Sequence, residues 1–98
     1  MKIAVCDDEP IICQQLSELI AAYPLLEPVV IKAYCSGYDL LNAADNFDLV
    51  FLDIQMPGID GLAVGEQLLS KDPNLILVFI SSNFHYISQS YHIRTFQF

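Results

Sequence analysis

Three runs of the chain carry no polar side chain: Ile3-Ala4-Val5-Cys6, Leu49-Val50-Phe51-Leu52 and Leu75-Ile76-Leu77-Val78-Phe79-Ile80. Each is short, rich in branched or aromatic residues and bounded by polar ones. Apolarity without alternation indicates strands buried on both faces, the environment of a parallel sheet covered by helices on either side. A fourth run, Val29 to Tyr34, includes Lys32 and reads as a strand nearer the sheet edge.

Between these runs the period changes. Ile12, Leu16, Leu19, Ile20 and Tyr23 recur at helical spacing after Pro10, whose fixed φ suits the first helical position, and Pro24 ends the segment. Ser36 with Asp39 three residues later predicts a capped short helix through about Ala44, with Leu40, Leu41 and Ala44 inward. Asp60 predicts the cap of a third helix over Gly61 to Lys71, with Leu62, Leu68 and Leu69 inward and Pro73 closing it. Ser82 or Asn83 predicts a fourth helix, carrying Phe84, Ile87 and Tyr91, before Thr95 to Phe98 returns to extended alternation. The order β-α-β-α-β-α-β-α-β with short connections predicts right-handed βαβ units and a doubly wound α/β sheet.

Composition narrows the function. Twelve acidic residues against four basic ones leave a formal charge of -8, which repels phosphate backbones and anionic lipid. No nucleic-acid contact by this segment is expected. No apolar run reaches the ~20 residues of a membrane helix and Met1-Lys2 leads straight into a strand, so the expected location is cytoplasmic. Cys6, Cys13 and Cys35 lack C-x-x-C spacing and read as small core residues, with carboxylates raising the Cys6 thiol. His85 and His92 fall on a polar helical face without a ligand partner and read as exposed residues.

The chemistry concentrates at two strand ends. Asp7-Asp8-Glu9 follows the first apolar run and Asp53 follows the third. In open α/β sheets ligands bind outside the carboxyl ends of the strands. With the order 2-1-3-4-5, borrowed from known flavodoxin-like sheets and not fixed by these residues, strands one and three are neighbours about 4.8 Å apart. Three carboxylates then share one crevice, a costly arrangement without a counter-charge. All-oxygen donors without His or Cys select a hard cation, and Mg²⁺ is the usual ion where phosphate joins the coordination shell.

The segment Asp53-Ile-Gln-Met-Pro-Gly-Ile-Asp-Gly61 closely resembles the phospho-acceptor loop of response regulator receiver domains of two-component signalling. Val5-Cys6-Asp7-Asp8-Glu9 resembles their acidic first-strand end, and Phe79-Ile80-Ser81 their fourth-strand end. The resemblance covers nearly the whole chain. It implies that residues 1–98 form one receiver domain with a five-stranded flavodoxin-like sheet, that Asp53 is the phosphoryl acceptor, and that Asp8 and Asp53 ligate Mg²⁺ directly. Asp7 would assist through water and Gln55 would lend its backbone carbonyl. Ser81 matches the hydroxyl that bonds the phosphoryl group, and Phe98 the switch aromatic. The implied partners are a sensor histidine kinase as donor and a covalently linked output domain. The implied role is that of a phospho-acceptor and not of a turnover enzyme, with at most self-phosphorylation and autodephosphorylation.

The family pattern places a Lys and a last helix beyond Phe98. The chain therefore reads as truncated in the fifth strand, with uncovered apolar surface and a tendency to self-associate. Phe79 to Tyr86 with Phe96-Gln-Phe98 resembles receivers joined to LytTR-type DNA-binding domains, which implies transcription regulation by the full protein. Two other readings stay open. A Mg²⁺-dependent phosphatase with an aspartyl nucleophile wants a second Asp where this chain has Gln55. A receiver-like interaction module would never turn over phosphate.

Overall fold

The first apolar run becomes the interior of β1 (Lys2–Cys6), in which every residue after Lys2 is buried. The computed structural model describes residues 1–23 and 28–80. After β1 come α1 (Pro10–Ala22), β2 (Val30–Tyr34), α2 (Gly37–Leu41), β3 (Leu49–Asp53), α3 (Gly61–Lys71) and β4 (Ile76–Ile80). All pairings are parallel and the strand order is β2-β1-β3-β4, so β2 is an edge strand, as Lys32 suggested. The expected fifth strand and fourth helix, with Ser81, His85, His92 and Phe98, lie outside the described residues, as does Pro24.

One face of the sheet carries Ala4, Cys6, Val50, Leu52 and Leu77 against Leu40 of α2 and Val64 of α3. Each fully buried large side chain there contributes roughly 1.5–3 kcal/mol of transfer free energy. Strand alternation sends Ile3 and Val5 to the opposite face, where α1 packs on β1 and β2.

Three helical details depart from the expected patterns. In α1 the buried residue is Cys13, 4% exposed, whereas Leu19 and Tyr23 are 66% and 72% exposed. The helix crosses the carbonyl ends of β1 and β2, where a thiol fits: Cys13 Sγ lies 3.5 Å from the Asp7 carbonyl oxygen and 3.7 Å from that of Tyr34. Tyr23 is already extended and lies past the helix. Second, α2 stops at Leu41 and Ala44 is exposed. The chain leaves the helix axis there to bring Asp45 to Lys2 at 3.0 Å and Lys32 at 2.6 Å, and to bury Phe47. Third, α3 turns Gly61, Val64 and Gly65 inward and leaves Leu62 half-buried, because small residues let the helix approach the sheet closely.

The caps follow their sequence signals. Ser36 Oγ accepts from Asp39 N–H at 3.1 Å, and Asp60 Oδ1 accepts from Ala63 N–H at 2.9 Å. Cys6 and Cys13 are buried as expected, but Cys35 is exposed, just past the end of an edge strand. Among the described residues no helix is long and apolar enough to cross a membrane.

Candidate metal centre

The parallel register sets Cys6 beside Leu52. Continued by one residue, it brings Asp7, just beyond β1, level with Asp53 at the end of β3. Asp8 follows on the turn into α1. One carboxylate oxygen from each of Asp7, Asp8 and Asp53 lies within 4.8 Å of the others. Of the sequence-predicted site residues these three meet, Gln55 lines the same cleft, and Ser81 and Phe98 are outside the described residues.

Backbone donors hold the carboxylates in place. Asp7 is 5% exposed; its N–H donates to the Tyr34 carbonyl at 3.1 Å, and its Oδ1 accepts from Glu9 N–H at 2.9 Å. Asp53 Oδ1 accepts from Gln55 N–H at 3.2 Å, so the residue after next orients the side chain.

The loop from β3 to α3 is anchored at both ends. Ile54, 1% exposed, donates its N–H to the Ile80 carbonyl at 3.3 Å and accepts from Gly61 N–H at 2.8 Å. Gly58 turns the chain with φ +87°, a conformation that disfavours any residue with a β-carbon. Met56 is buried and receives the Cys6 thiol at 3.7 Å, which joins the loop after Asp53 to the strand that presents Asp7. Periodicity gave no hint of Gly61, whose role appears only as a close approach of two backbones. The contact of Cys6 with Met56 likewise needed a third dimension.

Burial pushes Asp53 up to about 6, and the charges of Asp7 and Asp8 add to it while the Gln55 N–H opposes. Burial also raises Asp7, opposed by the Glu9 N–H. Desolvation thus leads over the like-charge repulsion that the sequence reading emphasised. The same order holds for Cys6, which burial pushes up to about 12 with smaller contributions from Cys13 and the carboxylates. Its thiol is consequently an inert packing group at neutral pH.

Three carboxylates, two of them held away from their preferred ionisation, fit a hard divalent cation with oxygen ligands. Beside them opens a cleft of about 570 Å³, walled by Ile12, Leu16 and Leu19 of α1 and by Ile80.

A model of the response regulator receiver domain family matches residues 3–97. The positive alginate biosynthesis regulatory protein of Pseudomonas aeruginosa is 29% identical over 98 residues, covering 95% of this chain and 38% of that protein. The protein-glutamate methylesterase/protein-glutamine glutaminase of Nitrobacter hamburgensis is 37% identical over 84 residues, covering 84% of this chain and 22% of that protein. The chain thus spans well under half the length of either relative. Among solved structures, the response regulator protein TrrA of Thermotoga maritima in complex with Mg²⁺-BeF superposes with a TM-score of 0.80 at 34% identity, covering 92% of this chain and 78% of that one. The response regulatory domain of protein mrkE of Klebsiella pneumoniae gives a TM-score of 0.83 at 25% identity, with 98% of this chain and 79% of that one covered.

Proposed function

The chain belongs to the response regulator receiver domain family, and from that premise we propose that Asp53 accepts a phosphoryl group from the phosphohistidine of a sensor kinase, with Asp7, Asp8, Asp53 and the Gln55 backbone carbonyl holding Mg²⁺. The observation that carries this reading is the convergence of three carboxylates at the carboxyl ends of β1 and β3. The Mg²⁺-BeF complex of TrrA supports it by analogy, since that relative takes up the ion and a phosphoryl-like group together.

Asp53 reacts as the carboxylate: one oxygen attacks phosphorus as the bond to the histidine nitrogen breaks in line. At neutral pH a group with its pKa near 6 is mostly ionised and competent. Gln55 N–H and the anchored loop keep the attacking side chain oriented, which is most of what such a transfer asks of a protein. Bound Mg²⁺ supplies charge neutralisation for the transferring oxygens.

The product adds a charge of about -1.5 to -2 and new acceptor oxygens. In this reading the Ser81 hydroxyl donates to the phosphoryl group and Phe98 repacks behind it, carrying the change to an output domain. The likeness to LytTR-type receivers makes that output a DNA-binding domain and the full protein a cytoplasmic transcription regulator. The matched segment excludes most of the methylesterase relative, so its activity is not carried over.

The test is incubation with acetyl phosphate and Mg²⁺ followed by intact-mass spectrometry. One phosphoryl group should be gained, with no gain when Mg²⁺ is chelated before the acetyl phosphate is added and none in Asp53→Asn. Labelling that persists in Asp53→Asn contradicts the assignment.

A further inference from the structure

Cys13 and Cys35 take no part in the acidic site, yet the fold brings an exposed thiol beside a buried one. Tyr34 packs its side chain into the α2–α3 core, so alternation carried one residue past β2 sends Cys35 to the α1 side of the sheet. Cys13 is the buried residue of α1 on that side. Its Sγ lies 3.7 Å from the Tyr34 carbonyl oxygen, which belongs to the peptide unit leading into Cys35. Because that unit is planar, Cys13 Sγ falls within about 6.5 Å of the Cys35 Cα. Closing to disulfide geometry then asks the exposed Cys35, in the bend just past β2, to shift its backbone toward α1 as well as turn its side chain.

We propose that Cys13 and Cys35 form a peroxide-responsive pair, in which exposed Cys35 is oxidised first and Cys13 resolves it as an intramolecular disulfide. Cys35 sulfur attacks hydrogen peroxide, the O–O bond breaks, and the products are Cys35 sulfenic acid and water. Cys13 sulfur then attacks the sulfenic sulfur, the S–O bond breaks, and the second oxygen leaves as water with the thiol proton. Two thiols and one peroxide thus give one disulfide and two waters.

The order of events follows from burial. Cys35 is accessible, whereas Cys13 is 4% exposed and shielded from an oxidant in solution. Cys6 stays out of the pair: it sits on the other face of the sheet, with its thiol 3.4 Å from the Ser36 carbonyl and 3.7 Å from Met56 sulfur. The bond would tie the first turn of α1 to the end of β2, beside Asp7, whose carbonyl loses the Cys13 thiol donor.

The experiment treats the native full chain with hydrogen peroxide, alkylates the remaining thiols and maps peptides without reduction. The expected result is a linked Cys13–Cys35 peptide with Cys6 alkylated, and no such peptide in Cys35→Ser, a surface change that leaves folding intact. In Cys13→Ala the Cys35 sulfenic acid should persist and be captured by dimedone. Cys35 driven to sulfinic acid or to intermolecular dimers while Cys13 remains alkylatable would overturn the proposal, as would a linkage through Cys6.

Discussion

Gly61 meets the backbone of Asp53 with no space for a β-carbon, which would lie against the Asp53 carbonyl oxygen and 2.6 Å from the Cα of Ile54. The start of α3 is thereby pressed onto the end of β3, and the bond from Gly61 N–H to the Ile54 carbonyl locks the two together. A residue far from the carboxylates in chemistry thus fixes where one of them stands.

Gly61→Ala should force that joint apart. Overpacking of this kind costs about 1–3 kcal/mol, measurable as a lower urea midpoint, with weaker Mg²⁺ binding by calorimetry. An unchanged midpoint with unchanged binding contradicts the close-approach argument.

If the acidic cluster holds Mg²⁺ as proposed, stability should depend on both pH and metal. Without metal Asp53 keeps its proton up to about pH 6, against about 3.9 for an unfolded aspartate. The folded state therefore binds this proton more tightly, and its contribution is full below about pH 4 and lost as pH rises through about 6. At neutral pH, metal-free Asp53→Asn should be more stable than the wild type by on the order of 1 kcal/mol, once solvent screening of a half-buried carboxylate is allowed for. Mg²⁺ should raise the wild-type melting temperature at neutral pH and much less below about pH 5. An equal rise at both pH values contradicts the assignment.

Removing one donor tests the centre without touching the acceptor. Asp8→Ala should weaken Mg²⁺ binding by more than about tenfold, since loss of even an outer-sphere partner costs 10–100-fold at metal sites. Asp8 is exposed, so the fold should survive. Titration calorimetry on the variant and the wild type gives the comparison.

Helix caps provide a control away from the centre. Asp60→Ala removes the acceptor for Ala63 N–H and should cost about 1 kcal/mol. The thermal midpoint should fall while the binding stoichiometry for Mg²⁺ stays the same.

The strands were legible because an unbroken apolar run such as Leu49 to Leu52 has few other homes than a doubly covered sheet. The caps Ser36 and Asp60 were legible because each satisfies a local donor within three residues. Helix faces were read less well. Large apolar residues drew attention to Leu19 and Leu62, whereas the sheet accepted Cys13, Gly61 and Gly65, chosen by space and not by hydrophobicity. The length of α2 was misjudged because its end is set by Asp45 reaching Lys2 and Lys32, contacts distant in sequence. Asp7, Asp8 and Asp53 were identified as residue types at strand ends, but the donors that orient them, Glu9 N–H and Gln55 N–H, are backbone groups that composition cannot reveal.

The most direct measurement maps the phosphoryl group itself. After labelling with acetyl phosphate and Mg²⁺, borohydride reduction converts an aspartyl phosphate to homoserine, and peptide sequencing by mass spectrometry locates it. Homoserine at position 53 alone is the predicted result. Homoserine at position 7 or 8, or a phosphoryl group that resists reduction because it sits on a hydroxyl, contradicts Asp53 as the acceptor.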